Sequence, residues 1–269
     1  GFDHSNPLAV AAMPREATSK GRVFLGWHHG ECGVGLIGLD ASGRKIWEWL
    51  RRGTGATLIA TSDKHVYFCF DGDGGRPMLA RVDPDKGEQV PFSNGLLDIA
   101  LPATPTGLSV RNGQVAVSME SANMLLVLDQ ESGAKSKEIA VDKPRHVSWL
   151  DDSRVVALSG GKLTVITIAS GEARLLVTSP EFKPSSLTTD KAGRLFVGDD
   201  ATQTVALFEV AVSELKRIAT IGEPGGHRPG PWNAKRMRVP LAMAVEDRGD
   251  ASSQVWMVEN SFSPRRVSV

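Results

Sequence analysis

Hydrophobic residues in this chain fall in strand-length runs separated by polar, glycine-rich turns. Val23-Phe24-Leu25-Gly26-Trp27, Val66-Tyr67-Phe68-Cys69-Phe70, Val115-Ala116-Val117-Ser118-Met119, Val155-Val156-Ala157-Leu158, Leu195-Phe196-Val197-Gly198-Asp199 and Val255-Trp256-Met257-Val258-Glu259 recur with start-to-start steps of 43, 49, 40, 40 and 60 residues. Three further strand-like segments surround each run. The clearest unit reads 105–110, a tight Asn112-Gly113 turn, 114–119, 125–129, the turn Gln130-Glu131-Ser132-Gly133, and 137–141. Asn-Gly between apolar runs is a strong two-residue hairpin signal. Runs such as Leu125-Leu126-Val127-Leu128 are almost continuously apolar, as strands packed on both faces must be.

Four short strands repeating every 40–50 residues or so predict a radial array, a β-propeller. The expected architecture is all-β, with six blades of four antiparallel strands in one domain over 1–269. The blades lie near 7–50, 54–93, 101–141, 143–178, 183–222 and 239–269. In the second blade the fourth strand is expected at 88–92. The last blade shows no fourth strand and is read as incomplete in this chain, by a continuation beyond these residues or as a three-stranded blade. A seventh blade is the rival to six.

The region before and within the sixth unit carries a family resemblance. Gly222-Glu223-Pro224-Gly225-Gly226-His227-Arg228-Pro229-Gly230-Pro231-Trp232 leads into Arg238-Val239-Pro240-Leu241-Ala242-Met243-Ala244-Val245-Glu246-Asp247, and Val255-Trp256-Met257-Val258-Glu259-Asn260 follows. This resembles an NHL repeat, with Ala242 at the family's usual Gly and Glu259 at its usual Asp. Gly193-Arg194-Leu195-Phe196-Val197-Gly198-Asp199 fits more loosely. The close match spans about a quarter of the chain. It implies an NHL-like propeller and no particular activity.

The chain carries 31 basic and 31 acidic residues, so no net field draws it to nucleic acid or to an anionic membrane. No apolar run approaches the roughly 18 residues of a membrane-spanning helix. Its two cysteines, Cys32 in a turn and Cys69 in a strand, fall in neighbouring units in a register that disfavours a disulfide. An extracellular or periplasmic bacterial protein is the expected setting, and no cofactor is expected.

Candidate chemistry is thin. Trp27-His28-His29-Gly30-Glu31-Cys32-Gly33 holds transition-metal ligand types, so His28, His29 and Glu31 are the metal candidates, although adjacent histidines on a strand point to opposite faces. Polar residues follow each second strand: His28-His29, Asp71, Glu120, Asp199-Asp200 and Glu259-Asn260. They read better as caps of their own hairpins than as a converging metal ring. Asp71-Gly72-Asp73-Gly74-Gly75 lacks the third acid and closing Glu of a calcium loop. Arg145 and His146 begin an innermost strand, where a channel opens. There His146 is the candidate general base, with a near-neutral pKa, and Arg145 the candidate anion holder. The Pro/Gly-rich insert 222–239 offers His227, Arg228 and Trp232 as a binding surface, and Trp27 joins Trp232 as a candidate sugar-stacking face. Trp47 and Trp49, on the outer strand of the first blade, are expected to pack under a neighbour outside this chain.

The function these features favour is a non-catalytic binding or scaffold propeller within a larger exported protein, taking a protein or carbohydrate ligand on its top face. The alternatives are a lyase or hydrolase at the channel mouth using His146 and Arg145, or a carbohydrate-binding propeller.

Overall fold

The computed structural model describes residues 5–13, 23–29, 33–51, 58–176, 178–211, 214–224, 233, 235, 237–247, 253–259 and 267–268. They form six antiparallel sheets, each built in chain order from the centre outward. Blade 1 holds β1 (Ser5–Ala12), β2 (Val23–His29), β3 (Gly33–Leu39) and β4 (Lys45–Arg51). Blade 2 holds β5 (Leu58–Thr61), β6 (Val66–Asp71), β7 (Pro77–Val82) and β8 (Asp98–Ala100). Blade 3 holds β9 (Gly107–Arg111), β10 (Gln114–Met119), β11 (Met124–Asp129) and β12 (Lys135–Ala140). Blade 4 holds β13 (Pro144–Trp149), β14 (Arg154–Ser159), β15 (Lys162–Thr167) and β16 (Ala173–Leu175). Blade 5 holds β17 (Pro184–Thr189), β18 (Leu195–Asp199), β19 (Thr204–Val210) and β20 (Leu215–Ile221). Blade 6 has three strands among the described residues, β21 (Pro240–Asp247), β22 (Ser253–Glu259) and β23 (Val267–Ser268).

The core is divided into inter-blade layers, one for each neighbouring pair. Phe24 and Trp47 of blade 1 meet Phe68 and Phe70 of blade 2. Tyr67 and Leu79 meet Val115 and Val117 across the next gap, and Ala116 and Val127 meet Trp149 and Val155 across the one after. The fourth and fifth layers join Val156 to Leu187 and Phe196 to Met243. The sixth joins Val10, Ala12 and Val23 directly to Ala244 and Val258. Blade 6 therefore packs on blade 1, and the ring closes at six, which removes the seven-blade alternative. This layering explains why the middle strands are so largely apolar. In β18 all five residues are buried, whereas outer β20 is half-buried only at its ends and exposed between them.

Two expectations are corrected. The fourth strand of blade 2 is Asp98–Ala100, not 88–92. Gln89 makes only an isolated bridge to Val82, and the chain then turns inward to bury Phe92 between blades 2 and 3. There the Arg81 guanidinium lies 4.7 Å from the Phe92 ring centre. Trp47 and Trp49 do not await an outside neighbour. Trp47 donates its Nε1–H to the Pro84 carbonyl at 2.8 Å, and Trp49 meets Phe68 edge-on at 4.6 Å, so both fasten blade 1 to blade 2.

Candidate functional site

Every inner strand borders the central channel with one edge. That edge has no ladder partner, so a residue without an N–H costs nothing there. Pro144, Pro184 and Pro240 open their inner strands and Pro7 is the third residue of its own, and each is followed by a break in register. In blade 4 the extra residue is His146, whose φ of +28° is left-handed backbone that a non-glycine residue adopts at a cost of about 1–3 kcal/mol. Neighbouring groups hold it in place. The His146 N–H donates to the Thr106 carbonyl at 3.3 Å. The Thr106 hydroxyl donates to the Pro144 carbonyl at 2.7 Å, and the Glu120 N–H donates to the same hydroxyl oxygen at 3.2 Å. Gly107 permits this approach of two inner strands, since a Cβ there would lie 2.6 Å from the Val147 nitrogen.

Arg145 points to the same end but is already engaged, its Nε 2.8 Å from Glu120 Oε2. Burial, reinforced by the Arg145 charge, holds the His146 imidazole down at about 4. It is neutral at pH 7 and a weak base, which corrects the near-neutral value expected of a catalytic histidine.

Asp199 behaves as a cap of its own hairpin. It accepts N–H bonds from Lys183 at 3.0 Å and Ala201 at 3.1 Å, and a hydroxyl bond from Thr202 at 2.8 Å. Glu259 accepts the Arg238 N–H at 2.9 Å. Asp71 is half-buried, and burial raises its pKa. Among the described residues no three His, Cys, Asp or Glu side chains gather as a metal set. His28 and His29 close β2, paired with Asn6 and Ser5, while Glu31 lies outside the described residues, as do His227, Arg228 and Trp232. Cys69 is a free, fully buried thiol, and Cys32 lies outside the described residues.

Trp27 is not a stacking platform. It is 6% exposed, and its ring fills the space over its cross-strand partner Gly35, where a Cβ would sit 2.2 Å from the indole.

A cavity lies at the other end of the channel. It measures about 810 Å³ and is lined by all six inner strands and by the hairpins that leave them. Its inner wall carries Val10, Leu108, Val147, Leu187 and Met243, interleaved with Ser109, Ser148 and Thr188 of the same strands. Its mouth carries Asp63, Lys64, Arg111, Asp152 and Lys191. Hydroxyl groups tie the inner strands together around it. Thr61 donates to the Ala12 carbonyl at 2.7 Å, Thr189 to the Trp149 carbonyl at 2.6 Å, and Ser109 accepts the Trp149 N–H at 3.2 Å. The hairpins are held by their own caps. Asp151 Oδ1 accepts the Ser153 and Arg154 N–H groups at 2.9 and 2.8 Å, and Asp190 Oδ1 accepts the Arg194 N–H at 2.8 Å. Burial by itself would raise the Asp151 carboxyl, but hydrogen bonds from Arg154 and Ser153 outweigh it and bring it to about 2. Reading the sequence for reactive groups passed over these hairpins. Their signal was Ser62-Asp63-Lys64, Asp151-Asp152-Ser153 and Asp190-Lys191, which follow the first strands of blades 2, 4 and 5.

No protein-family model matches the chain, and no curated protein matches it in sequence. Solved structures do match in fold. A catalytically inactive variant of virginiamycin B lyase from Staphylococcus aureus, solved with quinupristin, superposes over 96% of this chain and 78% of that one, with a TM-score of 0.62 at 16% identity. U3-55K covers 98% of this chain and 81% of its own, with a TM-score of 0.62 at 13% identity. A chain of the nidogen/laminin complex covers 80% and 79%, with a TM-score of 0.55 at 14% identity. At these identities the likeness shows the β-propeller fold and nothing finer.

Proposed function

We propose that this chain is a non-catalytic, NHL-like binding propeller of an exported bacterial protein, and that its ligand enters the channel at the inner-hairpin mouth. The observation that carries this reading is the cavity itself. At about 810 Å³ it falls within the roughly 300–1,000 Å³ typical of ligand sites. Three of its four lining carboxylates, Glu131, Asp152 and Asp190, are committed to arginines, and the lining holds no histidine or cysteine among the described residues. The structure-matched set includes an enzyme and a member of a protein complex, so the fold allows either class. A sugar-stacking reading loses Trp27, which is buried, while Trp232 lies outside the described residues.

The test is a thermal-shift screen of small ligands, followed by methyl NMR. Stabilising ligands are expected to shift the methyl signals of Val10, Val110, Val147 and Leu187. If every hit instead perturbs the Arg145–His146 end, the channel-mouth reading is wrong.

One observation favours a second reading. The strained backbone of His146, beside an Arg145–Glu120 pair, is the kind of outlier that active sites store. A lyase or hydrolase there would require turnover that His146→Ala abolishes without unfolding the chain. Retained turnover in that variant removes the role.

A further inference from the structure

We infer that the channel site proposed above takes an organic anion with an apolar body, an inference that rests on the channel being the binding site. The inner wall of the cavity offers hydrocarbon at Val10, Leu108, Val147, Leu187 and Met243, interleaved with the hydroxyls of Ser109, Ser148 and Thr188. The charges sit at the mouth, and their pairing is uneven. Of the four lining acids, Glu131 meets Arg81 at 3.5 Å, Asp152 meets Arg111 at 2.9 Å and Asp190 meets Arg194 at 2.5 Å. Asp63 has no cation partner among the described residues, but it adjoins Lys64 in sequence.

Lys64 and Lys191 have no acid partner among the described residues, and both are exposed. They stand on the first hairpins of blades 2 and 5, opposite each other in a ring of six, so their ammonium groups flank one opening. A ligand that fills the inner wall with apolar groups leaves its polar end between these two cations. An anionic end gains both attractions, the one at Lys64 reduced by the adjoining Asp63 carboxylate, whereas a cationic end meets two ammonium groups against that one carboxylate. A neutral ligand of the same shape keeps the apolar contact alone.

Two dyes separate these contributions. Anilinonaphthalene sulfonate and N-phenyl-1-naphthylamine share one aromatic body, and only the first carries an anion. Fluorescence titration of the purified chain is expected to show one sulfonate dye per chain, bound about five- to tenfold tighter than the neutral dye. Lys64→Glu combined with Lys191→Glu is expected to erase that advantage and leave the neutral dye's affinity unchanged. Lys135→Glu with Lys216→Glu, on outer strands away from the channel, is expected to change neither. Equal affinity of the two dyes for the unaltered chain overturns the anion inference while leaving the channel reading standing. So does a loss of the same size in the outer-strand control. Failure of both dyes to bind overturns the channel reading and this inference together.

Discussion

Gly107→Ala tests the contact on which the inner ring depends. A Cβ at this position would stand 2.6 Å from the Val147 nitrogen, 2.6 Å from Ser118 Oγ and 2.9 Å from the His146 Cα. Unstrained carbon contacts lie at about 3.5–4.0 Å, so β9 and β13 must separate by about 1 Å. Overpacking of this kind costs about 1–3 kcal/mol. Separation also stretches the His146 N–H bond to Thr106 and the Thr106 hydroxyl bond to Pro144, each worth about 1 kcal/mol. The expected loss is about 2–4 kcal/mol, read by equilibrium urea unfolding with tryptophan fluorescence. Gly113→Ala is the comparator. Gly113 has φ +77° with no atom within 4 Å of the added carbon, so only the left-handed backbone penalty of about 1–2 kcal/mol applies. If Gly107→Ala proves no more costly than Gly113→Ala, the two inner strands do not touch as described, and the account of His146's strained conformation falls with them.

The His146 imidazole, held at about 4, should show no NMR titration between pH 5 and 8. Because its folded pKa lies below the unfolded value of about 6.5, the unfolded chain binds the proton first, so stability is lost as pH falls from 6.5 towards 4. His146→Gln should flatten the melting temperature across that window. Asp151 has a shift of the same sign in a lower window, though hydrogen bonds to its charged form cause it rather than burial. Its folded value of about 2 lies below the unfolded value of about 3.9, so its contribution is present above pH 4 and lost as pH falls towards 2. Asp151→Asn should therefore lower stability at pH 5 and have little effect near pH 2, as measured by urea midpoints. Burial raises the Cys69 thiol pKa and shuts it from solvent, so mass spectrometry should find Cys69 unmodified by iodoacetamide in the folded chain and alkylated in urea.

The apolar middle strands and their spacing made the ring legible, because a strand packed between two blades has no polar face to disguise its pattern. Residues 88–92 misled for a definite reason. Val90 and Phe92 read as strand positions, but Phe92 is drawn into the gap between blades, leaving 98–100 to complete the sheet. Trp27 and Trp47 looked like available aromatics because their partners are invisible in a linear reading. Each faces a glycine across the sheet, Gly35 and Gly38, and that absent side chain makes the slot that buries the indole. Lys64 and Lys191 lie 127 positions apart and resemble any solvated turn lysines. Only ring closure places blades 2 and 5 across one opening, so no local pattern could have joined them.

The outer strands bear on where a partner can attach. An unpaired sheet edge invites another chain to add a strand. Here each long outer strand is interrupted by one unpaired residue, Ile46 in β4, Ser136 in β12 and Ile218 in β20. The outer strands β8 and β16 are only three residues long. Lys216 and Arg217 next to Ile218 add charge where strand addition would otherwise be easiest. Bulges, short strands and lysines are the devices that keep edges from pairing. The inner edges are occupied differently, by hydroxyl bonds from one blade to the next, which brace the channel while leaving it hollow. A chain that blunts its rim and holds its centre open fits the proposal that recognition takes place in the channel, where the unpaired lysines stand.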